Sequence, residues 1–546
     1  MTIQTLITQE MKDEYTSKGY WGPMNLAHYL DLHAAYTPEK EALVDVKRRV
    51  TYGEWKLISD RIALKFLEMG IRPEDRIGLQ TPNWVEYFFV RLACSKMGAI
   101  PVPFIYNVRE HEIELTLGET EGVAFVFCSD FHNFDYIQMA EKIRPNLPKL
   151  KHLITIGERT GKGMINLKAL MEDEIEKRYP PGYLLKFYPD SNSIDILMST
   201  SGSTAKPKIV LRTHNVFNSL GWHIVTKAKM TPEEVVLAVA PVNQGTGYSV
   251  AMVADLIVGC KTIMLERFVA EEALRLIGQE KVTMAVGVPA QMIKMMNSPS
   301  VKDFNVKTLR LFYHAGAPLP PEAAEAFARQ FGCQLMEAYG ALDGGTPVHT
   351  SLDDPPEKIY GTVGRACAGI VMRIIDDNGK ELPRGEVGEV AYKGPNCAVG
   401  LYNDPQHSYD KEGWFRSGDL GVMDKEGYLK IVGRKKDIII RGGSNISPKE
   451  IEDELISHPK IANVTVVRMP DPVLGERACA FVIPKEGQSV TLEELTGYLS
   501  KRDFAKYKWP ERVENIAEFP LLPNGKVNKR ALEAEIGQKL RMEGKA

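Results

Sequence analysis

Helix-period and strand-like segments alternate along this chain, and that alternation restricts its fold more than any other feature. Thr51 and Glu54 form a capping-box pattern, after which Trp55, Ile58, Ile62 and Phe66 recur on one helical face until Gly70. Residues 76–79 then read as a strand, 84–97 as a helix and 99–104 as the next strand. Strands that alternate with helices are joined by crossovers, so their natural arrangement is a parallel sheet with helices covering its faces. At 546 residues, 44% of them hydrophobic, the chain is too long for one core and should divide into domains.

The clearest division falls near residues 433–445. A strand-like stretch at 428–432 runs into Gly433-Arg434-Lys435-Lys436-Asp437, and Arg441-Gly442-Gly443-Ser444-Asn445 precedes a new helix. That helix has Ser447 as N-cap, Pro448 in the first position and Glu450 in the third. Strands at 464–467 and 478–483, a helix at 492–501 and a last helix from Lys529 follow. The expected fold class is therefore α/β, with a large domain over 1–434 of parallel-rich sheets and covering helices. A small α+β domain over 435–546 is joined to it by a charged, glycine-flanked hinge.

A formal net charge of −3 supplies no electrostatic reason to expect a nucleic-acid partner. The seven cysteines are scattered without a C-x-x-C pair, which reads as reduced thiols of a cytoplasmic protein rather than a disulfide frame or a zinc site. The N-terminal residues lack the basic start and apolar run of a signal peptide. The longest apolar run, 250–260, is too short to span a bilayer and contains Asp255, so no membrane segment is expected.

Thr200-Ser201-Gly202-Ser203-Thr204-Ala205-Lys206-Pro207-Lys208 carries the strongest chemical signal. Glycine and serine let backbone N–H groups approach an anion, hydroxyls donate further bonds, and lysines neutralise charge. Such a loop suits phosphate, although no Gly-Lys-Ser/Thr closes it as in a Walker A loop. Taken alone, the same composition also makes a flexible surface turn.

The loop does not stand alone. Gly316-Ala317-Pro318, Glu337-Ala338-Tyr339-Gly340 with Asp343, Gly413-Trp414-Phe415-Arg416-Ser417-Gly418-Asp419, Gly433-Arg434 with Lys436, and Pro523-Asn524-Gly525-Lys526 follow it in order. This ordered set resembles the adenylate-forming superfamily, which includes acyl- and aryl-CoA ligases, adenylation domains of peptide synthetases and luciferases. The resemblance implies ATP, Mg2+ and coenzyme A as cofactors, a β-barrel-like subdomain, and a C-terminal domain that moves. It implies that Lys526 is catalytic, binding the carboxylate and the α-phosphate. Thr200 to Thr204, Lys206 and Lys208 would hold phosphate, with Gly316, Ala317, Pro318, Glu337, Ala338 and Gly340 along the nucleotide. Tyr339 would lie against adenine, Asp419 would accept the ribose hydroxyls beside Arg434, and Asp343 would ligate magnesium. Lys436 would be the hinge, and Gly442 and Gly443 would border the path of the incoming thiol.

Locally, Lys526 also reads as a solvated turn lysine, Tyr339 as a core tyrosine, Asp419 as a turn aspartate and the hinge as a plain linker. The chain also departs from the family pattern. Ala205 and Ile209 stand where glycines are usual, and Leu342-Asp343 replaces the usual Thr-Glu. If position 205 needed positive φ, alanine there would cost about 1 kcal/mol. Asp343 is one methylene shorter toward a metal.

The segment 240–248 corresponds to the family's acyl pocket. It contains no aspartate to pair with an α-amino group, which disfavours an amino acid. Gly245 and Gly247 leave space, and Trp222 and Tyr248 are the candidate flat walls, although Trp222 also reads as a core residue. The expectation is a small ring carboxylic acid, aromatic or alicyclic, passed to CoA. A carrier protein remains an alternative acceptor, and oligomeric state stays open. A luciferase-like oxidase and a non-catalytic nucleotide or acyl binder are the readings from other classes.

Overall fold

A computed structural model of the chain describes residues 3–199, 208–502, 504–522 and 526–543. The expected alternation becomes two sheets in a large N-terminal domain. One has five strands, in the order Ile100–Ile105, Arg76–Thr81, Ala124–Cys128, His152–Ile156 and Ile165–Asn166, with every pairing parallel. The other has nine strands. Its centre, Leu311–Ala315, Met284–Gly287, Val235–Ala238, Lys261–Met264 and Glu41–Val44, is parallel throughout. Gln334–Ala341 extends it in parallel before the antiparallel Gly345–His349 and Arg365–Ala366 close that edge.

Local chemistry accounts for the helices that cover these sheets. Thr51 accepts from the Glu54 N–H and the Glu54 carboxylate accepts from the Thr51 N–H, starting the helix Tyr52–Glu68. Its Trp55, Ile62 and Phe66 are buried in the main core. Val85–Met97, buried along its whole length, ends at Gly98 with φ 72°, a conformation that glycine adopts without a Cβ penalty.

A buried polar knot sits inside this core. Arg91 lies 2.5 Å from Asp195 and donates to the Tyr248 hydroxyl at 2.8 Å, and His214 Nδ1 is 2.7 Å from Asp195. Burial alone would raise the Asp195 pKa, but Arg91 and His214 hold the carboxyl well below its usual range. Asp195 belongs to Ile194–Ser199, which pairs antiparallel with Ile209–Thr213, Ser199 lying opposite Ile209. The knot thus anchors the strand that leads into residues 200–207.

The barrel-like subdomain is a four-stranded antiparallel meander of Val371–Ile375, Val387–Lys393, Phe415–Met423 and Leu429–Arg434. Beyond it, Ser444–Ile446, Ile439–Arg441, Gly475–Pro484, Ile461–Asp471 and Arg512–Asn515 form the five-stranded sheet of a small C-terminal domain. Its own core gathers Ile451, Leu455, Val466, Leu495 and Leu499. The helix Pro448–Leu455 begins after Ser447, but the serine side chain does not cap it. Ser447 Oγ donates instead to the Val432 carbonyl at 2.6 Å, tying the small domain to the last strand of the meander.

All seven cysteines are buried and free. No helix among the described residues is long and apolar enough to cross a membrane.

Candidate active site

The nine-stranded sheet and the meander bring the nucleotide candidates together. Asp419 and Arg434 are cross-strand partners in the antiparallel ladder, so register alone sets them side by side. Arg434 Nε donates to Asp419 Oδ1 at 2.7 Å, and the Tyr339 hydroxyl donates to Oδ2 at 2.8 Å. Asp419 is only 4% exposed, and its backbone N–H donates to Ser417 Oγ. A carboxylate has about four acceptor positions, so this one keeps capacity for the hydroxyls of a ligand.

Lys526 joins the same charges. The residue is exposed, yet protein packed around the ammonium lowers its pKa, with Arg434 and Lys436 adding to that effect and Asp419 opposing it. The bond from the Leu522 N–H to the Lys526 carbonyl at 2.8 Å and the bridge between Leu521 and Val527 fix where the lysine leaves the backbone. Residues 523–525 lie outside the described residues.

Glu337, Ala338, Tyr339 and Gly340 all lie on the strand Gln334–Ala341. Burial pushes the Glu337 carboxyl up to about 8, so it is largely protonated at neutral pH. A Cβ at Gly340 would fall 2.1 Å from the Gly345 carbonyl oxygen, which explains glycine at this close approach of strands. Gly316, with φ 90°, follows the strand Leu311–Ala315, and Gly316, Ala317 and Pro318 are exposed.

Asp343 occupies the turn between two strands of the sheet edge, and its Oδ2 lies 2.9 Å from Lys208 Nζ. Arg212 Nη2 donates to the Leu342 carbonyl at 2.7 Å, and the Tyr409 hydroxyl donates to the Asp343 carbonyl at 3.3 Å. These two side chains position the turn. Arg212 closely follows the phosphate loop in sequence, a placement that marks it, whereas nothing in the sequence singles out Tyr409. Of that loop, Thr200, Ser201, Gly202, Ser203, Thr204 and Lys206 lie outside the described residues. Ile209, one of the departures, is buried in the strand opposite Ser199 and needs no glycine.

The acyl-pocket expectation requires correction. Trp222 is 51% exposed and donates its indole N–H to the Tyr29 hydroxyl, so it covers surface rather than walling a pocket. Tyr248 has no exposed surface and belongs to the Arg91–Asp195 knot. Gly247 is demanded by backbone crowding, since a Cβ there would lie 2.2 Å from the Pro241 carbonyl oxygen. Gly245 alone faces open space, with nothing within 4 Å of a Cβ.

Lys436 sits in the short turn Lys435–Asp437, and its carbonyl accepts from Arg468 Nη2 at 3.2 Å. Gly442 and Gly443, with φ 54° and 86°, form the two-residue turn between Ile439–Arg441 and Ser444–Ile446. Two successive positive φ values are what a tight hairpin of this type demands, so the turn itself accounts for both glycines.

Comparison with known proteins agrees with this architecture. The family model described as "AMP-binding enzyme" matches residues 30–402, and that of the "AMP-binding enzyme C-terminal domain" matches residues 450–526. The chain is 31% identical to a medium-chain fatty-acid–CoA ligase of Escherichia coli, over 99% of this chain and 95% of that protein. It is 30% identical to a 2,3-dihydroxybenzoate-AMP ligase of Bacillus subtilis, over 97% of each. Among solved structures, the anthranilate CoA ligase AuaEII in complex with anthranoyl-AMP shares the fold, with a TM-score of 0.87 at 22% identity, covering 95% of this chain and 98% of that one. The ordered motifs, the fold and these matches over nearly the whole length lead to one conclusion: the chain belongs to the AMP-binding enzyme family, within the adenylate-forming superfamily.

Proposed function

We propose that this protein is an ATP-dependent acid–thiol ligase that adenylates a carboxylic acid and passes the acyl group to coenzyme A. The observation that carries the reading is the convergence of Lys526, Arg434, Asp419 and Tyr339 from distant parts of the chain. A thiol cannot displace oxide from a carboxylate, so the acid must first acquire a better leaving group. An oxygen of the carboxylate attacks the α-phosphorus of ATP, the bond from that phosphorus to the bridging oxygen breaks, and pyrophosphate leaves. The thiol sulfur then attacks the acyl carbon, its proton passes to solvent, and the carbon–oxygen bond breaks to release AMP.

Each residue has a part in this scheme. Asp419 receives the ribose hydroxyls while Arg434 keeps its carboxylate oriented, and the ring of Tyr339 offers a face to adenine. Lys526 bridges the acid carboxylate and the α-phosphate, offsetting the repulsion between two anions at the point of attack. The loop of residues 200–206, with Lys208, holds the outer phosphates. Asp343 fits a magnesium ligand, because its carboxylate stands at the turn beside Lys208, a phosphate-loop lysine, with Oδ2 2.9 Å from Nζ. Magnesium held there would neutralise charge on the departing pyrophosphate. Polyphosphate attracts Lys208, which parts it from Asp343. For the second step, residues 435–546 turn about Lys436, withdrawing Lys526 and admitting the thiol beside Gly442 and Gly443.

For the acyl group we propose a compact ring carboxylate, supported by the open space at Gly245, the lack of an aspartate in 240–248, and the dihydroxybenzoate relative. The fatty-acid relative favours a second reading, a medium-chain acid. The AMP-ligase relative likewise keeps a carrier protein as the alternative acceptor. The test incubates the protein with ATP, magnesium and a panel of ring, medium-chain and long-chain acids, with and without CoA, and identifies products by mass spectrometry. Acyl-CoA and AMP from ring acids are expected. A single burst of acyl-adenylate that CoA does not turn over would replace CoA with a carrier protein, and turnover confined to chain acids would overturn the ring assignment.

A further inference from the structure

Three further side chains from separate elements meet in the interior, one of them, His349, lying opposite Ala338 in the sheet. His223 lies on the helix His214–Lys227, His349 ends the strand Gly345–His349, and Cys367 follows the strand Arg365–Ala366 that pairs with it. One ligand atom from each lies within 4.8 Å of the other two. We propose that His223, His349 and Cys367 form a binding site for a thiophilic d10 cation, Cu+ or Zn2+.

The donor geometry supports this assignment. His349 Nδ1 and Cys367 Sγ are 3.2 Å apart. Ligands of a tetrahedral zinc are separated by about 3.3–3.6 Å, given metal–nitrogen and metal–sulfur bonds of about 2.0–2.1 and 2.3 Å. The other nitrogen of His349, Nε2, lies 2.8 Å from the Tyr313 hydroxyl. An outer partner of that kind fixes the ring and leaves Nδ1 directed at the metal. The His349–Cys367 contact alone could be an ordinary hydrogen bond, but it does not account for His223. Nε2 of that ring is buried with no hydrogen-bond partner among the described residues, and the ring centroid is 5.0 Å from that of His349.

Two imidazoles and one thiolate are a soft donor set that suits Cu+ or Zn2+ better than Mg2+. On binding, the Cys367 S–H bond breaks, a sulfur–metal bond forms and the proton passes to solvent. Cysteine spacing gave no hint of such a site, because the ligands come from elements that only the fold brings together. The strand bearing His349 pairs with the one bearing Tyr339, Tyr339 lying opposite Val348, so an occupied site would stiffen that edge of the sheet.

The test uses the full-length chain, reduced and stripped with a chelator, then given either Cu+ or Co2+ as the spectroscopic stand-in for Zn2+. After desalting, metal per chain and the thiolate-to-cobalt charge-transfer absorption are read. One retained equivalent per chain is expected with at least one of the two ions, the cobalt form showing the absorption. Cys367→Ser should abolish the absorption and weaken binding at least tenfold. His223→Leu should weaken binding by the same factor, and it carries the test if the cysteine variant does not fold. Cys333→Ser, which alters a buried thiol elsewhere, should bind like the parent. No retained ion, or equal binding by the parent, Cys367→Ser and His223→Leu, would overturn the proposal.

Discussion

Replacing Lys526 with methionine separates a catalytic lysine from a structural one. Methionine keeps most of the length and removes the charge. An ammonium about 4 Å from an anion, at an effective dielectric near 20, contributes about 4 kcal/mol. Removal of one preorganised donor at developing charge typically costs about 2.7–4 kcal/mol, or roughly 10²–10³ in rate. Acid-dependent ATP–pyrophosphate exchange should therefore fall by about that factor. Stability should not fall with it. Packing around the ammonium, with Arg434 and Lys436 nearby, already disfavours its charged form and lowers its pKa. For a lysine with a depressed folded pKa, the unfolded state binds more protons between the folded pKa and the unfolded value, so the penalty is present below that window and fades as pH rises through it. The assays are exchange kinetics, urea denaturation at pH 7, and CoA-dependent turnover of chemically prepared acyl-adenylate, which should persist. A fall in exchange below fivefold, or a parallel loss of stability and of the thioester step, would rule out a catalytic ammonium at this position.

Further outcomes follow from the same contacts. Asp419→Asn removes the anion that Arg434 and Tyr339 share, and should weaken ATP binding by about 1.5–3 kcal/mol, roughly 10- to 150-fold, in isothermal titration. Lys436→Pro should slow thioester formation while leaving pyrophosphate exchange intact; equal loss of both would contradict a hinge at this residue. Asp195→Asn leaves Arg91 buried without its anion and should cost about 3–5 kcal/mol in denaturant titration. Burial raises the Asp255 pKa to about 8, against the Thr262 hydroxyl bond that opposes it. Its folded pKa lies above the unfolded value, so the folded state binds the extra proton and stability falls as pH rises from about 4 to 8. Asp255→Asn should flatten that decline in chemical denaturation, and an unchanged slope would count against a protonated Asp255.

Local signals were legible where short-range chemistry decides the structure. The Thr51–Glu54 capping box needs partners three residues apart, and it forms as the sequence implies. Helix and strand alternation predicted parallel sheets because crossovers leave little choice. Asp419 and Arg434 were readable as motif residues, but their ion pair depends on cross-strand register. Ser447 shows where the local rule loses: it occupies the N-cap position, yet the Val432 carbonyl takes its hydroxyl. Tyr248 was misread for a similar reason, since its partners Arg91 and Asp195 are remote in sequence. The exposure of Trp222 likewise depends on how its helix lies against Tyr29.

Transfer of AMP from ATP to a carboxylic acid is checked by release of pyrophosphate from ATP in the presence of magnesium, measured with and without a ring acid. Release should depend on the acid and on Lys526, with AMP formed in equal amount once CoA is added. ATP binding with no pyrophosphate released by any acid would contradict AMP transfer and leave a nucleotide binder in its place.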